Sequence, residues 1–348
     1  MIYDNIQLHN VAELDTRPFY PGIGLQRFPE HVRRGLSPRG RFISQQSSGC
    51  EIRFVSDSPQ VRVSLSAMDV DGEALVFYGD LFHSRHTLRQ GTIHMLHLEA
   101  PPALAGLQPA FWERMRFAPG VWRVMTGRYH AVFHGVDTLG ASCRPPASSE
   151  VPARRWLAYG SSITHSAHAT HQANSYVEQA AKRQGVDVLN AGLSGACLCE
   201  RGMADYLSER SDWDFATLEI GVNMRSGFTE DEFRERATYL IHRIVRLHPG
   251  KTVAVITSYP NGETFELEPS TSGIRQRNFD GILREIVGDL QQPNVNLLEG
   301  SEILTSGAGL TQDLIHPSDY GHSVMGENLA SMLRSLDNNV PIEGSRIL

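Results

Sequence analysis

The chain has 348 residues, 41% of them hydrophobic and 20% charged, with a formal net charge of -7 and a pI near 6.1. That length exceeds one ordinary domain core and fits two at roughly 100 to 200 residues each, and the composition is globular rather than disordered or fibrous. The acidic balance and scattered Lys and Arg argue against nucleic acid as a partner. No run approaches the ~18 apolar residues of a membrane span, so no membrane partner is expected.

The start, MIYDNIQLHNVAELD, has neither the basic nor the apolar region of an export signal. Four cysteines, Cys50, Cys143, Cys197 and Cys199, are too few for a disulfide framework and fit a reducing cytoplasm. The Cys197/Cys199 pair lacks a second Cys/His pair at zinc spacing, so these residues are read as buried small hydrophobes and no metal or cofactor is expected.

Residues 1 to about 145 read as β-rich. EIRFVSDSPQVRVSLSAMD, EALVFYGDLFHSRHTL, TIHMLHLEA and VWRVMTGRYHAVFHGVDTL are short runs of Val, Phe, Tyr and Thr, several alternating with period two, separated by Gly, Pro, Asp and Ser. They predict an antiparallel sandwich without a convincing helical period. The stretch RPPASSEVPARR (144–155) is the expected linker.

Beyond it, apolar strand-like runs alternate with amphipathic helices: WLAYG, VDVLNAG, FATLEIG, TVAVITSYP and VNLLEG each precede a helical or polar stretch. The plainest helix spans 229–248, where Phe233, Ala237, Leu240, Ile241, Ile244 and Val245 share a face, and Thr229 with Glu232 forms a capping box. Five βα repeats predict a parallel sheet covered on both faces, the three-layer doubly wound, flavodoxin-like arrangement. In such sheets the site lies beyond the carboxyl ends of the strands. Gly160 and Ser162 follow the first strand, Asn190 to Gly195 the second, and Gly221 and Asn223 the third, while DLIHP precedes the last helix.

These pieces fit acyl transfer. Serine needs an imidazole to take its proton and a carboxylate to orient that imidazole. Ser162 in GSSIT is the candidate nucleophile, placed in a strand-to-helix turn with a helix N-terminus beneath it. His316 is the candidate base and Asp313 its partner, in a loop closed by Pro317. Gly195 and Asn223 are the natural oxyanion donors, one through its backbone N–H and the other through its side-chain amide. Each residue alone is as readily a turn residue; the ordered set carries the reading. His322 is the nearest competitor as base, but its place in the last helix makes it a packing residue.

The order GSSI, NAGLSG, GVN, DLIHP resembles the four blocks of the SGNH hydrolase superfamily, the GDSL esterases and lipases, over about residues 160–330. The resemblance implies Ser162 as nucleophile, Asp313 and His316 completing the triad, and an oxyanion hole of Gly195, Asn223 and the backbone N–H of Ser162. Ser161 and Met224 stand where the family carries Asp. This GSSIT/GVNM variant resembles a subgroup with an N-terminal, jelly-roll-like β-sandwich, associated with carbohydrate esterases and, in some biosynthetic members, acyl transfer. The expected organisation is a β-sandwich over 1–147 and a catalytic domain over 148–340.

His165, His168 and His171 form an HxxHxxH run whose spacing drifts around a helix, with no nearby carboxylate to complete a metal site. It is expected at the cleft rim or simply exposed. The function expected is a serine esterase acting on a small-molecule acyl ester, an acetylated sugar or similar polar metabolite. The alternatives are an acyltransferase using the same triad, and a carbohydrate-binding protein with an inert hydrolase domain. Oligomerisation is left open.

Overall fold

The structure, a computed structural model, describes residues 1–16, 21–113 and 115–336. Two antiparallel sheets occupy the N-terminal part. One runs, in spatial order, Ile2–Tyr3, Ile6–His9, Glu51–Ser56, Val121–Thr126, Gly72–Tyr78 and Leu81–Leu88, with Cys143–Arg144 added beside Glu51–Ser56. The other runs Glu13–Asp15, Ile23–Gln26, Ala131–Asp137, Gln60–Ala67 and His94–Glu99. Period-two alternation turns Ile52, Phe54, Val76, Trp122 and Val124 of the first sheet against Leu25, Val63, Leu65, Leu96 and Phe133 of the second, which closes a sandwich core.

This part is not free of helix, contrary to expectation. Glu30–Arg34 and Pro38–Ile43 are short helices. Neither is long enough to show a period, although Ser37 capping the N–H of Gly40 at 3.1 Å, with proline at the first helical position, is a legible start signal. Val32 and Ile43 of these helices, with Phe28, pack into the core of the following layer rather than into the sandwich.

That layer is a parallel sheet of β1 (Arg155–Gly160), β2 (Asp187–Gly192), β3 (Phe215–Glu219), β4 (Thr252–Ile256) and β5 (Val295–Leu298), in the order β2-β1-β3-β4-β5. Alternate residues of these strands feed opposite faces. Trp156, Ala158, Ala254 and Ile256 meet α1 (Tyr176–Gln184) and α5 (Asp319–Leu336). Leu157, Tyr159, Leu218, Val253 and Val255 meet α2 (Arg201–Glu209), α3 (Glu230–Leu247) and α4 (Thr271–Leu290). The doubly wound expectation therefore holds. In α3 the six predicted core residues are the buried ones, and the capping box forms, with Glu232 N–H on Thr229 Oγ1 at 3.3 Å and Thr229 N–H on Glu232 Oε2 at 2.8 Å.

Strand β2 is the edge of this sheet, so its outward carbonyls need donors from elsewhere. The sandwich supplies them. The Val188 carbonyl takes His9 Nε2 at 2.5 Å, the Asn190 carbonyl takes Asn10 Nδ2 at 3.2 Å and Arg27 Nη1 at 3.1 Å, and the Gly192 carbonyl takes Arg27 Nη1 at 2.9 Å. Side chains thus stand in for a sixth strand.

Candidate active site

Strand β1 ends at Gly160, where a Cβ would collide with the side chains of Thr164 and Glu219. The chain turns at once into residues 161–168. No helix lies directly beneath Ser162, which corrects the strand-to-helix expectation: the segment is a series of turns closed by His165 N–H on the Ser161 carbonyl at 3.0 Å and Ala167 N–H on the Ser162 carbonyl at 2.8 Å. Ser166 and His168 take left-handed backbone conformations, φ +69° and +63°, which a right-handed helix cannot continue, and α1 begins only after its Ser175 cap.

A carboxylate that sequence reasoning missed holds this turn. Glu219, at the end of β3, accepts Ser161 N–H at 2.7 Å and Thr164 Oγ1–H at 3.0 Å. Burial pushes its carboxyl up to about 7, against those two hydrogen bonds. Its one signal was a lone charge in the apolar run FATLEIG. Ser161, where the family carries Asp, is buried and its Oγ accepts Ile163 N–H at 3.2 Å; Met224, at the other departure, is buried in the core.

The structure brings Ser162, His316 and Asp313 together. Ser162 Oγ lies 2.7 Å from His316 Nε2, and His316 Nδ1 lies 2.7 Å from Asp313 Oδ2. Since a carboxylate only accepts, Nδ1 carries the proton and Nε2 is left to accept the serine hydroxyl. Asp313 is itself oriented: its Oδ1 takes Thr311 Oγ1–H at 2.8 Å and the N–H groups of Ile315 and His316, each at 2.9 Å. Partial burial would raise this carboxyl, but the hydrogen bonds from His316, Ile315 and Thr311 hold it well below the usual carboxylate range. Leu314 at φ +57° makes the tight bend that folds the carboxylate back onto the ring three residues on. His322, the rival base, is wholly buried; its Nδ1 accepts Tyr176 N–H at 3.2 Å and its Nε2 meets the Ala167 carbonyl.

Gly195 and Asn223 lie on the loops that follow β2 and β3, the two neighbours of β1. Gly195 is exposed at φ +67°. Asn223 is half-buried, and its Oδ1 accepts Cys197 N–H at 3.1 Å, which ties the two loops together and leaves the amide nitrogen as the end free to donate.

The three histidines do not act as a group, and the expectation that no carboxylate is near them fails. His168 Nε2 lies 3.3 Å from Asp313 Oδ2 and His171 Nδ1 lies 2.7 Å from Glu73 Oε1. His165 is neither at the rim nor exposed. It is wholly buried, with Nε2 taking Arg27 Nη2 at 3.1 Å and Ser48 Oγ at 2.7 Å. An arginine only donates, so this Nε2 is an acceptor, and Nδ1–H must donate to Ser194 Oγ at 2.8 Å. Burial, and then the charges of Arg27, Arg128 and Arg39, keep the ring neutral. Ser194 immediately precedes Gly195, so a buried sandwich arginine reaches the oxyanion-loop candidate through one imidazole. Burial without a carboxylate partner among the described residues lowers Arg27 itself to about 10.

Residues 158–324 match the model of the GDSL-like Lipase/Acylhydrolase family. No curated protein matches the chain. Among solved structures, the chain is similar to the salicylyl-acyltransferase SsfX3 from a tetracycline biosynthetic pathway, with TM-score 0.79 and 17% identity over 97% of this chain and 96% of that one. It is also similar to a family two carbohydrate esterase from Cellvibrio japonicus, with TM-score 0.65, 14% identity and 95% of each chain covered. A family two carbohydrate esterase from Clostridium thermocellum, in complex with cellohexaose, aligns at TM-score 0.61 and 15% identity over 83% of this chain and 93% of that one. The domain built on the parallel sheet is therefore a member of the GDSL-like lipase/acylhydrolase, or SGNH, family of serine ester hydrolases.

Proposed function

We propose that the protein is a serine esterase that hydrolyses small acyl esters of a sugar or similar polar metabolite. The observation that carries this reading is the unbroken relay from Ser162 Oγ through His316 to Asp313, with 2.7 Å at both steps. Ser162 attacks the ester carbonyl as His316 Nε2 takes its proton. The backbone N–H groups of Ser162 and Gly195 and the Asn223 amide hold the oxyanion, and the imidazolium protonates the leaving alcohol. Water, deprotonated by His316, then releases the acid. Asp313, kept ionised, stabilises the imidazolium in both halves.

A polar alcohol is supported by the cavity of about 330 Å³ between the two layers, lined by Glu73, Arg128 and Tyr129 from the sandwich and by Ser166, Thr170 and His171 from the loop after Ser162. We assign residues 1–147 as the accessory sandwich and 148–340 as the catalytic domain, of which 337–340 lie outside the described residues. The test is a panel of acetyl, butyryl, octanoyl and acetylated-sugar esters with wild type and Ser162→Ala. Near-wild-type turnover by the variant removes the reading.

The likeness to a salicylyl-acyltransferase over nearly the whole chain favours a second reading, in which a hydroxyl acceptor replaces water on the same acyl-enzyme. Product partition between free acid and transferred ester, with a candidate acceptor present, separates the two.

A further inference from the structure

His168 stands outside the relay yet touches it. Its ring is stacked on that of His316, with centroids 4.7 Å apart and planes 21° from parallel, so the His168 ring must turn for both in-plane lone pairs to meet one ion. Its Nε2 is 3.3 Å from Asp313 Oδ2, the oxygen that His316 Nδ1 also contacts. Ligand atoms of all three residues lie within 4.8 Å of one another. The His168 side chain is 48% exposed, so an ion can reach the cluster from solvent.

We propose that His168, Asp313 and His316 form a binding site for zinc, and that zinc there switches the esterase off. Two imidazole nitrogens and one carboxylate oxygen, with water completing four positions, make a donor set that suits zinc and not magnesium or calcium. Tetrahedral bonds of about 2.0–2.1 Å place neighbouring ligand atoms about 3.3 Å apart. The His168–Asp313 separation is already that long, and the 2.7 Å His316–Asp313 separation needs to open by about 0.6 Å on this estimate. Asp313 Oδ1 is anchored by three donors, the outer-sphere support that holds Oδ2 in place as a ligand.

The proton accounting explains the inhibition. A neutral His316 that ligates through Nδ1 must carry its proton on Nε2, and the Nε2 lone pair that accepts from Ser162 is gone. His168 ligating through Nε2 moves its proton to Nδ1. No proton is released in either shift, and the hydroxyl of Ser162 loses its base.

The binding claim stands on geometry alone, whereas the inhibition claim rests on the proposed triad, so they are tested apart. Chelator-treated Ser162→Ala protein is titrated with zinc against a chromophoric zinc indicator, beside Ser162→Ala/His168→Asn. Asparagine tolerates the left-handed backbone at this position. The expected result is one zinc lost, or weakened at least tenfold, in the double variant, with melting temperatures confirming that both proteins are folded. In parallel, ester turnover by wild type should fall with zinc, recover with EDTA and ignore magnesium, and His168→Asn should need at least tenfold more zinc relative to its own metal-free rate. Equal zinc affinity of the two Ser162→Ala proteins overturns the site. Equal zinc sensitivity of wild type and His168→Asn overturns the switch, and an active Ser162→Ala enzyme removes the esterase reading without touching zinc binding.

Discussion

The sandwich grips edge strand β2 at both ends, and the two junctions use opposite electrostatics. At the start of the strand, Arg53 makes a two-pronged contact with Asp187 at 2.6 and 2.8 Å, Glu51 bridges Arg53 and Arg123, and the Phe117 ring lies under both guanidiniums. Every cation there has an anion. Burial alone would raise Asp187, but Arg53 and His9 bring it down to about 2. At the end of the strand, Arg27 is equally buried and, among the described residues, its guanidinium meets carbonyls, an imidazole and an aromatic ring and no carboxylate. A paired charge secures two layers; a cation satisfied by carbonyls fixes the end of the strand that supplies two of them, from which the loop to Gly195 departs. The first junction is read as a clamp and the second as a positioning device for the segment leading to Gly195.

Asp187→Ala tests the clamp with the largest expected effect. Removing one partner of a buried pair costs about 3–5 kcal/mol, read as a lower denaturation midpoint. The specific activity of the folded fraction should stay near wild type; a parallel fall in kcat would show that the two junctions are not separable.

Arg27→Met strands the outward Gly192 carbonyl, at about 1–3 kcal/mol for a buried unsatisfied group, and leaves the Asn190 carbonyl with Asn10 Nδ2 as its side-chain donor. It should also lower kcat about tenfold, ~1.4 kcal/mol in the barrier, with KM little changed. Ser194→Ala, which cuts the last link of the relay and leaves the buried His165 Nδ1–H without its acceptor, should reproduce the kcat loss while Arg27 keeps its hold on the Asn190 and Gly192 carbonyls. An unaltered kcat in both variants leaves Arg27 a purely structural residue.

Glu219 sharpens the contrast through pH. Its folded-state value of about 7 lies above the ordinary 4.5, so the native state holds the proton more tightly than the unfolded chain. Its contribution to stability is therefore full below about pH 4.5, declines as pH rises toward 7 and is flat beyond. Glu219→Gln should remove about 1–3 kcal/mol of that slope, seen as a flatter melting temperature from pH 4.5 to 7. An identical slope in the variant would mean that Glu219 does not titrate in this range. The smallest effect is the control: Thr229→Ala, which removes the cap of α3, should cost about 1 kcal/mol and leave turnover untouched.

What could be read without coordinates divides along the same line. Ser162, Asp313 and His316 were legible because each sits in a short frame at the end of a periodic element. α3 was legible down to its buried face. Glu219 and Arg27 were not, because a lone charge in an apolar run says that a partner exists without saying where. His165 and His168 share one HxxHxxH run, yet one is buried against Arg27 and the other stands at Asp313. Left-handed turns at Ser166 and His168 replaced the helix expected there, and the local sequence, which carries no glycine in that segment, gave little sign of them.

The sequence by itself determined the periods, the caps and the chain order of the site motifs, since these depend on residues a few positions apart. Tertiary structure alone decided what lies against the edge of β2, which tautomer His165 holds and how His168 comes to share Asp313 with His316. Those depend on contacts across up to 180 residues of chain, where carbonyls, guanidinium and imidazoles settle their hydrogen bonds only once the two layers have met.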